Sequence, residues 1–447
     1  MNDDRAIRVV PQGVQIVNWR DMLSFKAVRH SLCVVVAAMC GLAAGCSSPA
    51  RTMDEATLLR RVEEHESSVL EQRNRIASRM LHRIERKHAA NVAKGSNDPV
   101  EFDVLLLSSG GQYGAFGAGV LDGWRAGSRP GYEFPKFDIV TGVSTGALIA
   151  PFAIAGTDYS IQRISDLFKQ ADDSFATLRG VLFFLPWRTS IFDTRVLRER
   201  IQAEIDADMI SQTIEAHEES RMLLIGAVDL DLGRFHIWDM GPIAVKAIET
   251  GDLSPYHNAM ISSASIPGAF PPIEIDGVLY TDGAAALATF MGLDRTAIRQ
   301  IIREFLARNP AAPTPRLRMW MIVNSHIDPT AQLPEQRWTA VAVRSASVLA
   351  SYSLRTTLRV MQLGAEAVGR DIGVPVEFQY ISVPHNVDLP IPTSRLFDQN
   401  LMTKLHELGS RLGADPASWR TEAIGPDIPG STITPGDIRF DPPRVHP

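Results

Sequence analysis

The chain has 447 residues, 45% hydrophobic and 21% charged, an ordinary globular composition that excludes bulk disorder, collagen and a coiled-coil rod. A formal net charge of −6, with both signs mixed along the chain, gives no electrostatic basis for a nucleic-acid partner. The three cysteines, Cys33, Cys40 and Cys46, lie within one short stretch, so no disulfide framework staples the body.

Residues 32–44 (LCVVVAAMCGLAA) are uncharged and follow Lys26, Arg29 and His30. A basic flank, a short apolar run and small residues after it describe a secretory signal over residues 1–45. A spanning helix would need about 20 apolar residues. Met22 is an alternative start, because MLSFKAVRH makes a basic opening. The stretch Leu42-Ala43-Ala44-Gly45-Cys46-Ser47-Ser48 resembles the lipobox of bacterial lipoproteins. That resemblance implies cleavage before Cys46, acylation of its thiol and a lipid-anchored place in a bacterial cell envelope. Ser47 would suit outer-membrane sorting in a Gram-negative cell. The plainer alternative is a signal peptide with an incidental cysteine.

Residues 51–95 are dense in charge, with apolar Leu58, Val62, Val69, Ile76, Met80 and Ile84 at helical spacing. The favoured expectation is a solvated helical stalk within a 46–98 linker; a docking or dimerisation helix is the alternative. Gly95-Ser96-Asn97-Asp98-Pro99 marks a boundary. Beyond it, strand signals at 102–107, 137–140, 222–228, 273–280, 317–323 and 376–383 alternate with helical stretches at 115–126, 145–155, 295–308, 340–368 and 394–412. This predicts an α/β domain over 99–413 with a largely parallel sheet. Residues 414–447 are Pro-rich and read as a tail that packs late or not at all. The run 181–187 (VLFFLPW) reads as a core element or as a lip that dips into a bilayer.

Three motifs carry chemistry. Gly142-Val143-Ser144-Thr145-Gly146 sits between an apolar strand and a helix, where a tight turn thrusts the serine outward and the helix start favours developing negative charge. Ser108-Ser109-Gly110-Gly111-Gln112-Tyr113-Gly114 also joins strand to helix. Its glycines can aim successive backbone N–H groups at one point, as an anion cradle. A tight turn or a nucleotide loop are the alternatives, although no P-loop Lys-Ser/Thr follows. Asp282, in Tyr280-Thr281-Asp282-Gly283-Ala284, ends a strand that follows a hairpin-turn dipeptide, Asp276-Gly277; another Asp-Gly turn is the alternative.

Together these pieces resemble the patatin-like phospholipases. SGGQYGAFGAGVL resembles that family's oxyanion block, and SSASIPGAFPPIEIDGVLYTDGA the segment leading to its catalytic Asp. The resemblance implies a three-layer αβα fold with a mainly parallel sheet. It implies a lipid acyl hydrolase with a Ser–Asp dyad, Ser144 as nucleophile and Asp282 as base. It places the oxyanion donors at Gly110, Gly111 and Gln112, with Gly114 closing the loop. Ser109, Tyr113 and Ala284 depart from the pattern, which more often has Gly, Arg or Lys, and Gly. The substrate implied is a phospholipid or other fatty-acyl ester, with no cofactor and no metal, and the membrane is reached through lipidated Cys46. Two rivals stand: an α/β-hydrolase esterase whose triad takes His326, His385 or His406, and an inactive envelope scaffold. The sequence is silent on oligomeric state.

Overall fold

A computed structural model describes residues 51, 53–179, 189–329, 331–390 and 396–422. The signal and lipobox with Cys46, and the run 181–187, lie outside the described residues. In chain order the elements are α1 (Glu55–Ala93), β1 (Glu101–Leu107), α2 (Gly114–Ala126), β2 (Ile139–Val143), α3 (Thr145–Ala155) and α4 (Asp158–Gln170). Then come the short strands β3 (Thr177–Leu178) and β4 (Phe192–Asp193), α5 (Arg195–Glu204), α6 (Ala207–Glu218), β5 (Met222–Asp229), β6 (Arg234–Asp239), α7 (Met240–Thr250) and α8 (Ser254–Ser263). The chain continues with β7 (Ile273–Ile275), β8 (Val278–Asp282), α9 (Arg295–Arg308), β9 (Arg316–Val323), α10 (Trp338–Ile372), β10 (Glu377–Ser382) and α11 (Gln399–Gly413).

Strands β10, β9, β1, β2 and β5 run parallel in that spatial order. Their apolar runs lack polar alternation because both faces are covered. In β1 the alternation appears instead as two destinations. Leu105 and Leu107 join a core with Phe116 of α2, Phe152 of α3 and Leu401 of α11. Phe102, Val104 and Leu106 join a second core with Ile298 of α9 and Leu354 of α10. A helix layer on each face of one sheet is the αβα arrangement expected from the sequence.

The antiparallel part of the sheet brings Asp282 into place. Along one side β5 pairs with β2 as far as Val143↔Gly226; the next residue pairs Ala227↔Asp282 of β8. Strand β6 takes the other side over residues 224–229. Strand β8 therefore arrives head-on against the C-terminal end of β2, in line with it. The Asp276-Gly277 turn that aims β8 has positive φ at both residues, 51° and 81°, the two-residue hairpin geometry whose twist matches that of the strands.

The helix at 55–93 is not a solvated stalk. Ile76, Met80, Leu81 and Ile84 are buried in the second core, against the face that carries Phe102, Val104 and Leu106. Arg83 Nε and Lys87 Nζ donate to the fully buried carboxylate of Asp138, at 2.6 and 2.8 Å, and the Asp103 N–H donates to it at 2.8 Å. A buried carboxylate needs such partners, and losing one typically costs about 3–5 kcal/mol. Only the N-terminal part of the predicted apolar face, with Val62 and Val69, stays exposed. The start of the supposed tail also packs. Trp419 is buried against Trp124 and Trp320, its Nε1 donates to Tyr132 Oη at 2.8 Å, and Arg420 pairs with Tyr380.

Candidate functional site

The parallel strands converge on one edge of the sheet, the edge where their C-termini meet loops. Strand β2 ends there in Ser144, at φ 56° and ψ −124°, a conformation that L-residues avoid and that is held only where the surroundings enforce it. Gly146 is one enforcing contact: a Cβ there would lie 2.4 Å from the Leu107 carbonyl oxygen. The close approach of the turn to β1 thus requires glycine. The Ser144 N–H donates to Ser263 Oγ at 2.9 Å, and Ser263 Oγ donates to the Gly226 carbonyl at 2.5 Å.

Ser144 and Asp282 are brought together, the Ser144 side chain close enough to the Asp282 carboxyl to favour its ionised form. Both are nearly excluded from solvent. Asp282 is fixed by its backbone N–H to Ser265 O at 2.9 Å, while one carboxylate oxygen accepts from Ala284 N–H at 2.8 Å. Burial pushes the Asp282 carboxyl up to about 7; the nearby Ser144 side chain and the bond from Ala284 N–H oppose that rise without cancelling it. A carboxyl poised near neutrality beside a hydroxyl suits proton transfer at physiological pH.

The glycine loop lies on the same edge, after β1. Gly111 takes φ 56° and starts a short 3₁₀ turn, Gly111–Tyr113. Among the described residues no backbone carbonyl accepts from the N–H groups of Gly110, Gly111 or Gln112. First-turn N–H groups of this kind are free to serve an anion. The Gln112 side-chain Oε1 accepts from Asp398 N–H at 2.9 Å. Gly114 differs from the other three, because its N–H caps the turn on the Gln112 and Gly111 carbonyls. It therefore closes the loop and does not offer a donor.

Gly111, Ser144 and Thr145 line a small pocket of about 50 Å³ whose other walls are apolar, among them Leu148, Phe168, Phe175, Phe270 and Met402. An apolar lining beside a hydroxyl suits contact with an apolar acyl group. Of the rival triad histidines, His326 Nδ1 lies 3.1 Å from Val383 O, with its ring stacked on His385 at 4.7 Å. His406 is buried on α11, and burial pushes its pKa down to about 4. Among the described residues none of the three hydrogen-bonds to Ser144 or Asp282. The described residues hold no cluster of metal-ligating side chains.

Sequence reasoning missed two supporting residues. Asn324, fully buried after β9, donates from Nδ2 to Ser108 O at 2.7 Å and from its backbone N–H to Ser108 Oγ at 2.9 Å. It packs so closely under Gly110 that a Cβ there would lie 2.0 Å from its carbonyl oxygen. Ser263 is the second, and only its position in the SSAS stretch hinted at a role. Ser263→Ala leaves the Ser144 N–H without an acceptor in a buried place, a loss of about 1–3 kcal/mol. The expected result is a lower melting temperature and a lower kcat on a chromogenic ester with little change in KM.

Residues 105–291 match the family model described as patatin-like phospholipase. Comparison with curated proteins returns no match. Among solved structures, the chain is similar to VipD from Legionella pneumophila at 13% identity over 73% of this chain and 68% of that one, with a TM-score of 0.32.

Proposed function

From the patatin-like phospholipase domain that residues 105–291 form, which supports a lipid acyl hydrolase, we propose a specific chemistry: hydrolysis of fatty-acyl esters by Ser144 and Asp282 through an acyl-serine. The observation that carries this reading is the closeness of a strained Ser144, which lines an apolar pocket, to the buried carboxyl of Asp282. Ser144 Oγ attacks the ester carbonyl and Asp282 accepts its proton. The N–H groups of Gly110, Gly111 and Gln112 receive the tetrahedral oxyanion, a contribution worth about 10²–10³ in rate per donor. The alcohol leaves with the proton held by Asp282. Water, deprotonated by the same carboxylate, then releases the fatty acid and restores Ser144.

Anchoring by an acylated Cys46 in a bacterial envelope belongs to the same reading, supported by the lipobox-like sequence alone. The test of the chemistry is covalent. A fluorophosphonate probe should label the purified chain once, on the peptide containing Ser144. Absence of that label, or a label elsewhere, would instead favour the inactive scaffold or a different nucleophile.

A further inference from the structure

The pocket beside Ser144 is walled by side chains from separate elements. Leu148 comes from α3, Phe168 from α4, Leu197 from α5, Phe270 from the loop between α8 and β7, and Met402 from α11. Apart from Gly111, Ser144 and Thr145, every lining residue is apolar. The part-exposed Gly111, Ile266 and Phe397 mark the mouth, while the fully buried Met402 and the buried Ala171 mark the deep end. Two walls are braced by further rings. Phe175 meets Phe397 edge to face at 5.6 Å, and Phe270 meets Phe192 edge to face at 6.4 Å. An interior packed in this way does not swell freely to take extra methylenes.

The size of the space sets what it can hold. An apolar protein cavity of about 150 Å³ takes up benzene, with its six carbons. On that scale the space of about 50 Å³ beside Ser144 holds about two or three carbons. The ester carbonyl itself must sit at Ser144 Oγ, so those carbons are the ones that follow it. A long acyl chain would leave most of its length outside this pocket.

We propose that the substrates of Ser144 are esters of short acyl groups, of about three or four carbons, and that Met402 and Ala171 set this limit by closing the deep end of the pocket. The inference rests on the Ser144–Asp282 reading of the site and names the acyl group that reading leaves open. Each methylene that fits should raise kcat/KM by about fourfold through burial of its surface. Each one beyond the limit must displace a packed wall or stay in water, and gains nothing.

The test is a series of p-nitrophenyl esters, acetate, butyrate, octanoate and decanoate, each kept below the concentration at which it aggregates. In the parent, kcat/KM should peak at butyrate and fall by about tenfold or more at octanoate. Met402→Ala opens the deep end and should raise the octanoate-to-butyrate ratio by about tenfold or more, with a lower melting temperature from the lost packing. Ala171→Val is the opposite change and keeps the result decisive if the first variant fails to fold. Ala171 has extended backbone, at φ −66° and ψ 132°, which a β-branched residue accepts. Its two added carbons should fill the pocket and lower the butyrate-to-acetate ratio by about tenfold. A parent profile that climbs through decanoate would overturn the proposal and leave the Ser144–Asp282 chemistry standing. Chain-length ratios unmoved in the folded variants would overturn it as well, because the acyl group would then lie elsewhere. A parent no faster than Ser144→Ala on every ester would instead strike the hydrolase reading, and this proposal with it.

Discussion

Replacing Ser144 with alanine should lower hydrolysis of a chromogenic fatty-acyl ester by about four to six orders of magnitude, the scale on which loss of an attacking serine is felt. The variant should keep the fold, because the Ser144 N–H still reaches Ser263 Oγ and the turn still packs on β1 through Gly146. Its stability carries a second signature. Alanine inherits the φ of 56° and the strain of that backbone, of order 1–3 kcal/mol, whereas glycine adopts it freely. Ser144→Gly should therefore melt above Ser144→Ala, both being inactive. Near-parental turnover in either variant would remove Ser144 from the chemistry. Equal melting temperatures would mean the turn is unstrained.

Asp282→Asn should be the next most damaging change, about 10⁴ in kcat, comparable to losing the carboxylate of other serine hydrolases. The parent enzyme should lose kcat/KM as pH falls through about 7, since only the ionised carboxylate accepts the Ser144 proton. The same residue sets a trend in stability. A buried carboxyl whose folded pKa is raised binds its proton more tightly folded than unfolded. Its stabilising share is complete below the unfolded value near 4 and is lost as pH rises through about 7. The parent should consequently be less stable at pH 8 than the Asp282→Asn variant, and the gap should close toward pH 4. A melting series against pH checks this; a gap that is flat with pH would contradict the burial that raises this carboxyl.

The parts of the fold legible in the sequence were those written in local pattern. β1, β9 and α9 were bounded to within a residue because unbroken apolar runs and 3.6-residue spacing need no distant information. Ser144, the glycine loop and Asp282 were legible for a related reason: each sits at a strand end whose chemistry is marked by neighbouring glycines. β6 was missed, since Arg234-Phe235-His236-Ile237-Trp238-Asp239 mixes charge and aromatics, as a half-buried strand paired only to β5 can. α1 was legible as a helix but misplaced as a stalk. Its seam is four residues deep in a charged surface, and the ion pairs to Asp138 span more than fifty positions. Ser263 and Asn324 were beyond reach for the same reason. Their work is done on backbone groups far away in sequence.

The placement of α1 and Trp419 bears on what counts as the autonomous piece of this chain. Residues 105–291, which match the family, hold β2 and β5 but neither β9 nor β10, and they begin partway into β1. Cutting there would strip the sheet of two strands and of three helices on its second face. The smallest fragment able to close its own interior runs from α1 to the Tyr380–Arg420 bridge, and a domain boundary drawn from homology alone would fall inside the folded body.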